Sequence, residues 1–483
     1  MSFISFEFIV FLSIVIPLYF GLPVRWRLPL LLVSSYIFYA FSRVEYVFLI
    51  AFSTLADYTI AQMLGKTPDE QINRRRWLLV ASIVINLSVL FTFKYFNFFS
   101  ESLQGLFLNL GMPYQLITHQ LILPVGISFY TFQSMAYTID VYRKKIPVED
   151  NMGIFATYVA FFPQLVAGPI ERAQHMLPQF RTSYQFDYDR VVSGLRLILW
   201  GVFKKVVIAD RLALYVNGVY NNLDAYSGLP LWIASVFFAF QIYCDFSGYS
   251  DIAIGTARIM GFDLMENFRR PYLATSIRDF WRRWHISLST WFRDYLYIPL
   301  GGNRVSFVRN LFNLMIVFVV SGLWHGASWT FVIWGALHGG VIVLETMMSR
   351  FLPMRESGAL ERWVQRAITF AIIVFTWIFF RANNLDDAFY LIGSLFDFSD
   401  GRTTLLSPLQ AIPGELMRFE IYLSLSLIIF LMVVEWANEV FNLQQLILRW
   451  VFLRWSLYYT STILIIYSLL VNNTEQQFIY FQF

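Results

Sequence analysis

Two histidines of this chain lie in segments whose composition could support proton-transfer chemistry. His285 lies in the block DFWRRWHISLSTWFRDYLYIPLGGNR (279–304), and His325 lies in the block SGLWHGASWTFVIWGALH (321–338). A histidine within or beside apolar spans is costly to bury, and its imidazole can exchange a proton near neutral pH. Each is therefore a candidate catalytic residue. The alternative is an imidazole that is simply hydrogen-bonded between packed helices.

The composition predicts the elements that must position these histidines. Hydrophobic residues make up 57% of the 483 residues and charged residues only 14%, and the mean hydropathy is +0.55. Because a membrane-spanning helix needs about 20 largely apolar residues, the pattern predicts roughly ten to thirteen helices, some of them incomplete, re-entrant or interfacial. We therefore expect an all-α polytopic membrane protein. No linker or repeat divides it, which favours a single membrane-embedded domain over residues 1–483.

Basic residues predict the orientation of the chain, since Lys and Arg accumulate in short cytoplasmic loops. They follow the first, third and fifth predicted spans, whereas residues 100–120 contain no Lys or Arg. The pattern places the N-terminus outside. The C-terminal tail, residues 471–483, also lacks basic residues and is expected outside. The net charge of +4 therefore reflects loops beside membrane lipid and gives no sign of a nucleic-acid partner.

The segment 266–309 is rich in arginine and tryptophan and contains no lysine. This mixture is typical of an interfacial helix. Arg278, Arg282 and His285 follow i, i+4, i+7 spacing, so one helical face would present two guanidinium groups beside an imidazole. Such a face could bind the phosphates of a cytosolic donor. Attraction to anionic lipid headgroups is the alternative.

Glycines surround His325 on long apolar helices. Gly322, Gly326 and Gly335 are small enough to let helices approach closely or to line a narrow passage. His338 lies thirteen residues beyond His325 and is expected to have mainly a structural role. The PLGGNR segment (299–304) predicts a break in the helix, because its glycine pair permits a turn.

Acidic residues near the spans leave a second class of function open. Asp245 and Asp251 lie in or near one span, and others lie near span ends. Intramembrane carboxylates signal function or pairing, so an ion-coupled transporter or an export subunit without catalysis is an alternative. A single cysteine, Cys244, excludes an internal disulfide. We see no ligand cluster that requires a metal, and we expect no bound cofactor.

Several long motifs resemble the membrane-bound O-acyltransferase family, in particular its bacterial alginate O-acetyltransferase branch. They are PVGISFYTFQSMAYTIDVYR (124–143), FFPQLVAGPIERA (161–173), QIYCDFSGYSDIAIG (241–255), NFRRPY (267–272) and the two histidine blocks. The resemblance covers about 124–338, which we expect to be the catalytic core. The same family includes the D-alanyl transfer protein of teichoic acid modification, which the chain also resembles.

The resemblance implies a ring of helices around a central tunnel in the bacterial inner membrane. A cytosolic thioester, acetyl-CoA or an acyl carrier, would donate the acyl group, and the acceptor would approach from the other side. His325 matches the catalytic histidine of the family. His285 matches the second signature position, where eukaryotic relatives usually carry Asn, and could orient the acyl group or stabilise developing charge. Donor-side candidates are Arg269, Arg270, Arg278, Arg282 and Arg283.

The chain ends in QFIYFQF (477–483), which taken alone predicts an apolar anchor. This ending also resembles that of the small membrane partner in teichoic-acid D-alanylation, where a terminal tyrosine is thought to carry the acyl group. Our hypothesis is that the tail bends back so that Tyr480 accepts the acyl group near His325, because a phenol can act as a covalent carrier.

Three functions follow from these observations. The first is acyl transfer, most simply of acetyl, for O-acetylation of an exopolysaccharide such as alginate, with the polymer or an external acetyltransferase as acceptor. The second is D-alanyl transfer to teichoic acid, with a cytosolic carrier protein as partner. The third is the transporter or export subunit. The first two require His325, whereas the third does not.

Overall fold

In the computed structural model of the protein, every regular element among the described residues is helical. The structure describes residues 1–112, 115–166, 168–351, 358–399, 405, 407–409, 414–441, 447, 449–471 and 478–479. This confirms the all-α prediction.

The longer helices begin and end close to the predicted apolar stretches. Those that are used below are α1 (Phe6–Gly21), α2 (Val24–Ala40), α3 (Glu45–Lys66), α4 (Ile72–Leu90), α5 (Phe96–Asn109), α6 (Ile127–Tyr142), α7 (Met152–Ala160), α8 (Phe162–Leu165), α9 (Ala173–Phe180), α10 (Tyr188–Val202), α11 (Asp210–Tyr220), α12 (Leu229–Met260), α13 (Ile277–Trp281), α14 (Ile286–Phe292), α15 (Phe307–His325), α16 (Trp329–Phe351), α17 (Ala359–Arg381), α18 (Leu385–Ser394), α19 (Gly414–Phe441) and α20 (Val451–Val471).

Seven helices of the described chain are long and apolar enough to cross a membrane. Helices α4 and α5 form one of them, Ile72–Asn109, through a π-helical turn. Helix α1 is apolar but shorter, with 16 residues. The sequence also predicts an apolar stretch that begins near Asn151, and the structure divides it into α7 and α8, with nine and four residues. The chain is therefore a polytopic membrane protein, and the expectation that some predicted spans are incomplete is confirmed.

The chain divides into two compact units, which alternate along the sequence. The first comprises residues 1–198 and 252–266, and the second comprises 199–251 and 267–483. Each unit holds part of the motif-bearing segment 124–338, and the single-domain prediction stays a prediction.

In the first unit, α3, α4 and α6 pack together around a fully buried carboxylate. Asp57 of α3 accepts hydrogen bonds from Ser82 at 2.5 Å and from Asn86 at 2.8 Å, both on α4. Thr138 of α6 donates a third at 3.5 Å. Because its oxygens are hydrogen-bonded by three neighbouring side chains, Asp57 ties these helices together.

In the second unit, glycines allow α15 and α16 to pack at very close range. A Cβ atom at Gly322 would lie 2.2 Å from the carbonyl oxygen of Phe331, and one at Gly335 would lie 2.3 Å from that of Phe318. No larger residue fits at either position without separating the helices. The prediction of close helix approach around His325 is confirmed.

The prediction of one continuous interfacial helix through 278–285 is wrong. Helix α13 ends at Trp281, and α14 begins only at Ile286. Between them, His285 adopts a left-handed backbone conformation with φ 43°, which ends helical periodicity. Arg278, Arg282 and His285 therefore do not share one helical face. The predicted break at PLGGNR is confirmed, since Gly301 and Gly302 both have positive φ.

Candidate active site

His325 is the last residue of α15. The chain turns immediately after it into an extended conformation at Gly326, with φ −158°. A Cβ atom at Gly326 would lie 2.1 Å from the ring of Phe331, so only glycine allows the chain to leave α15 beside this ring. The close packing of α15 on α16 thus fixes the position of the imidazole, which is 3% exposed.

Aromatic rings form the walls around His325. Its ring centroid lies 5.0 Å from those of Trp324 and Trp334, and 5.4 Å from that of Phe380. Such walls exclude water from the imidazole, and histidine is the side chain that acts most often as a general base.

His285 brings a second imidazole to the same place. The centroids of the two histidine rings are 6.4 Å apart, and His285 is fully buried. A general base acts within about 3 Å of the proton that it takes, so one reacting group between the rings could contact both. The structure therefore joins the two histidines that the sequence singled out.

Asn267 determines the orientation of His285. Its Oδ1 atom lies 3.2 Å from Nδ1 of His285 and accepts hydrogen bonds from the hydroxyl of Ser287 at 2.9 Å and the backbone N–H of Ser287 at 3.3 Å. Because a backbone N–H can only donate, the asparagine atom at this position must be the oxygen. Its Nδ2 donates to Ser250 at 3.3 Å. Asn267 also accepts the backbone N–H of Ile286 through its main-chain carbonyl.

The tautomer of His285 follows from this network. Nδ1 must carry the hydrogen that it donates to Asn267, so Nε2 of the neutral ring carries the lone pair. Burial lowers the pKa of His285 to about 3, which keeps the ring neutral at physiological pH. A neutral Nε2 without hydrogen accepts hydrogen bonds, so this tautomer suits holding a hydroxyl better than stabilising an oxyanion.

His338 supports the wall of the site and is not part of the histidine pair. Its Nδ1 accepts a hydrogen bond from the indole of Trp281 at 3.3 Å, and Nε2 lies 3.0 Å from the hydroxyl of Thr376. Its ring centroid is 5.0 Å from that of Trp334, the residue that also contacts His325. These contacts agree with the structural role predicted for it.

The arginines of this segment fall into two groups. Arg270 forms an ion pair with Glu439 at 2.8 Å, and Arg283 contacts both Glu439 at 3.3 Å and Asp279 at 3.1 Å. Their guanidinium groups are therefore engaged within the protein. Arg278 donates to Thr346 at 2.7 Å.

Arg269 and Arg282 form the second group, and both are exposed. The backbone N–H of Arg269 donates to the carbonyl of Arg283 at 2.8 Å, which holds this loop against α13. Arg282 forms no ion pair with any residue that the structure describes. The guanidinium group of Arg282 can therefore bind an incoming anion without first breaking an ion pair with the described residues.

Asp245 and Asp251, the main residues that suggested a transporter, have basic partners within the protein. Lys205, in the π-helical segment Phe203–Ala209, contacts Asp245 at 2.5 Å and Asp210 at 2.7 Å. The neighbouring Lys204 contacts Asp251 at 2.8 Å. Because these buried carboxylates are neutralised by lysines, ion transport is not needed to explain their presence, and the main argument for the transporter is removed.

The C-terminal tail packs against Phe246, a residue that contacts His285. Tyr480 lies outside the described residues, but Phe478 and Ile479 are described and buried, with 1% and 2% exposure. The Phe478 ring centroid lies 4.4 Å from that of Tyr249 and 5.7 Å from that of Phe246. The ring of Phe246 in turn lies 4.7 Å from that of His285.

Sequence reasoning missed Asn267, Phe246 and the role of Asp245. Asn267 opens the NFRRPY motif, so an amide at the start of a turn close to the histidine block was the available signal. Phe246 lies among many similar aromatic residues, and no sequence signal distinguishes it.

The fold and the site define a polytopic membrane protein with a buried imidazole pair at the end of a spanning helix. The model of the membrane-bound O-acyltransferase family matches residues 151–382. The chain is 41% identical over 405 residues to the probable alginate O-acetylase AlgI of Azotobacter vinelandii, which covers 83% of this chain and 80% of the relative.

The names of two further relatives refer to other acceptors. The peptidoglycan O-acetyltransferase of Helicobacter pylori is 38% identical over 384 residues, 74% of this chain and 71% of the relative. The teichoic acid D-alanyltransferase of Bacillus subtilis is 26% identical over 288 residues, 55% of this chain and 70% of the relative. The chain belongs to the membrane-bound O-acyltransferase family and is an O-acyltransferase.

Proposed function

We propose that the protein transfers an acetyl group from a cytosolic thioester, most simply acetyl-CoA, across the bacterial inner membrane for O-acetylation of an exopolysaccharide such as alginate. The observation that carries this proposal is the buried His325–His285 pair, with ring centroids 6.4 Å apart. The relatives named as alginate O-acetylases, about two fifths identical over most of the chain, support acetyl as the group and a polysaccharide as the final acceptor.

In the proposed reaction, His325 acts as the general base. An acceptor hydroxyl attacks the thioester carbonyl as its proton moves to the imidazole of His325. The tetrahedral intermediate then collapses, the C–S bond breaks, and the proton returns to the leaving thiolate. His285, whose Nε2 lone pair is directed by Asn267, does not take this proton; its Nε2 accepts a hydrogen bond from another donor of the bound reactants and so helps to position them. No metal takes part in these steps.

Orientation and donor binding complete the proposal. The distribution of basic residues favours both termini outside, so the donor would enter from the side of the arginine-rich loop. Arg282, which is exposed and forms no ion pair with the described residues, is the best of the five arginine candidates for its phosphates, and Arg269 is also exposed. Arg270, Arg278 and Arg283 would instead shape the loop through their internal contacts.

Tyr480 is the proposed covalent carrier. The burial of Phe478 and Ile479 supports a tail that returns to the protein, as the hypothesis requires. The phenol oxygen would accept the acetyl group with loss of its proton to His325, and the resulting ester would pass the group to an external acetyltransferase or to the polymer itself.

The test is transfer of radiolabelled acetyl from acetyl-CoA by the purified protein in proteoliposomes. Loss of a general base costs about 10²- to 10⁴-fold in rate, so His325→Ala is expected to lose labelling almost entirely. His119→Ala is the control, since His119 is exposed and is not a site residue. Equal labelling of wild type and His325→Ala would overturn the proposal.

The carrier step has its own test. Tyr480→Phe removes the hydroxyl alone, so label on the C-terminal peptide and transfer to the final acceptor should both disappear. Full transfer by Tyr480→Phe would refute the carrier role but leave the role of His325 intact.

D-alanyl transfer to teichoic acid is the second proposal for the same chemistry. The relative named as a teichoic acid D-alanyltransferase favours it, although the identity is only 26%. A D-alanyl thioester on an acidic carrier protein, tested beside acetyl-CoA in the same vesicles, distinguishes the two donors.

A further inference from the structure

The backbone of the C-terminal tail is held by a buried carboxylate. The N–H of Ile479 donates to Oδ2 of Asp245 at 2.7 Å. Asp245, in the middle of α12, is 2% exposed, and Ile479 is equally buried. A hydrogen bond to a charged acceptor in such surroundings is among the stronger contacts that a chain end can make.

The other oxygen of Asp245 is held by Lys205. Oδ1 lies 2.5 Å from the ammonium group, which also contacts Asp210 at 2.7 Å. Lys205 is 1% exposed. Each oxygen of Asp245 thus faces one donor, the lysine on one side and the tail on the other.

The residue beside Asp245 links this contact to the histidine site. Phe246 contacts the ring of Phe478 at 5.7 Å and that of His285 at 4.7 Å between centroids. Consecutive residues of α12 therefore hold consecutive residues of the tail: Asp245 holds Ile479, and Phe246 packs against Phe478.

We infer that Asp245 is a positioning residue that docks the C-terminal tail against the wall of the histidine site, with Lys205 fixing its carboxylate. This inference rests on the proposed function only where it assigns a purpose to the docked tail, because Tyr480 is the residue that follows Ile479. The docking itself depends on described contacts alone. Its ligand is a backbone amide of the same chain.

The chemistry of an amide makes Asp245→Asn a sharp test. The lysine ammonium and the tail N–H are both donors only, whereas asparagine offers one acceptor oxygen and one donor NH₂. Lys205 and Ile479 face different oxygens of Asp245, so one of them must face the NH₂ of the asparagine. Because the ammonium group repels that NH₂, the oxygen stays with Lys205 and Ile479 loses its acceptor. Glu435→Gln is the matched control, since Glu435 is also buried in the second unit, and its described partner is the hydroxyl of Tyr243, which a glutamine oxygen can still accept.

Hydrogen exchange of the C-terminal peptide, measured by mass spectrometry on the full chain, reports docking directly. Loss of a hydrogen bond to a charged group should accelerate exchange of the Ile479 amide by about tenfold or more. We expect this in Asp245→Asn and not in Glu435→Gln. Unchanged exchange in a folded Asp245→Asn protein would overturn the inference.

A second pair of variants covers the case in which Asp245→Asn does not fold. Ile479→Pro removes the donor and leaves the Lys205 pair intact, whereas Ile479→Val keeps the N–H. Carboxypeptidase should release the C-terminal residues about tenfold faster from Ile479→Pro than from Ile479→Val. Equal release rates would refute the docking.

These measurements separate docking from the carrier role. Altered exchange in Asp245→Asn, together with full transfer by Tyr480→Phe, would retain the docking and reject Tyr480 as carrier. Loss of transfer in Tyr480→Phe with unchanged exchange in Asp245→Asn would do the reverse. If both hold, Asp245→Asn should slow transfer to the final acceptor while Glu435→Gln does not.

Discussion

Replacing Asn267 with alanine should uncouple His285 from its support while leaving both histidines in place. Asn267→Ala removes the acceptor of His285 Nδ1 and of two donors on Ser287, and also the donor to Ser250. His285 and Ser287 are fully buried. A buried polar group left without a partner costs about 1–3 kcal/mol, and a water molecule in the vacated space would offset part of that cost.

Two magnitudes follow from this loss. With several groups affected, we expect the free energy of unfolding to fall by about 2–5 kcal/mol. The hydrogen bond that fixes the tautomer and orientation of the His285 ring is worth about 1–1.5 kcal/mol. Its loss corresponds to roughly a tenfold lower acyl-transfer rate at saturating donor. The assay is the initial rate of acetyl transfer in proteoliposomes, measured below the thermal midpoint of the variant.

The control is Asn86→Ala. Asn86 is an equally buried asparagine, 1% exposed, that donates to Asp57 and to no histidine. The Asn86→Ala variant should have a lower free energy of unfolding but an unchanged acetyl-transfer rate per folded molecule. A wild-type rate in Asn267→Ala at matched folded protein would show that His285 needs no orientation, and the reasoning would fail.

Asn267→Asp separates chemistry from structure at the same position. A carboxylate accepts the same bonds but stabilises the imidazolium, so it raises the pKa of His285. Below that raised pKa the ring is protonated, and Nε2 no longer accepts. As the solution is acidified, the transfer rate of Asn267→Asp should therefore begin to fall at a higher pH than the rate of the wild type. A pH profile identical to that of the wild type would contradict the role of the Nε2 lone pair.

Three further predictions concern packing, pH and His338. Gly335→Ala should separate α15 from α16 and cost about 1–3 kcal/mol of stability together with most of the activity, whereas Gly340→Ala, with no atom within 4 Å of the added Cβ, should change neither thermal midpoint nor rate. Because burial lowers the pKa of His285 to about 3 from about 6.5 unfolded, the unfolded state binds the extra proton as pH falls. The free energy of unfolding should therefore fall by about 2 kcal/mol between pH 6.5 and pH 5 as His285 of the unfolded state takes up its proton. Chemical denaturation of His285→Asn should show a smaller decrease over the same range. His338→Gln should lower the thermal midpoint through lost contacts with Trp281, yet retain a much larger share of the transfer rate than His325→Ala.

Membrane-spanning helices and site residues could be predicted from the sequence where a single local property, such as apolar length or glycine spacing, determines the structure. Apolar length alone predicts the helices that begin near Phe307 and Trp329, and glycine spacing predicts their close contact. His325 could be identified because a histidine is costly to bury in an apolar helix and is therefore rare there unless it has a function.

Features that depend on distant partners were not predictable in this way. The i, i+4, i+7 spacing through Arg278, Arg282 and His285 is real, but the helix is interrupted, and no proline or glycine marks the interruption. Asn267, eighteen residues before His285, stabilises the break through bonds to Ile286 and Ser287. The pairing of Lys205 with Asp245 likewise requires two helical segments to be folded against each other before it can be seen.

The left-handed backbone at His285 restricts which amino acids the position can hold, independently of any reaction. Among residues other than glycine, asparagine, aspartate and histidine adopt this conformation most readily, and β-branched residues are strongly disfavoured. Asparagine, which the family resemblance implies at this position in eukaryotic relatives, belongs to that small set. In a saturation library, His285→Asn and His285→Gly should therefore accumulate in the membrane at levels close to the parent even when inactive, while His285→Val and His285→Ile should be lost to degradation. The position thus has two separable requirements, one imposed by the backbone and one by the chemistry, and comparison of protein abundance with activity across the library would measure each of them.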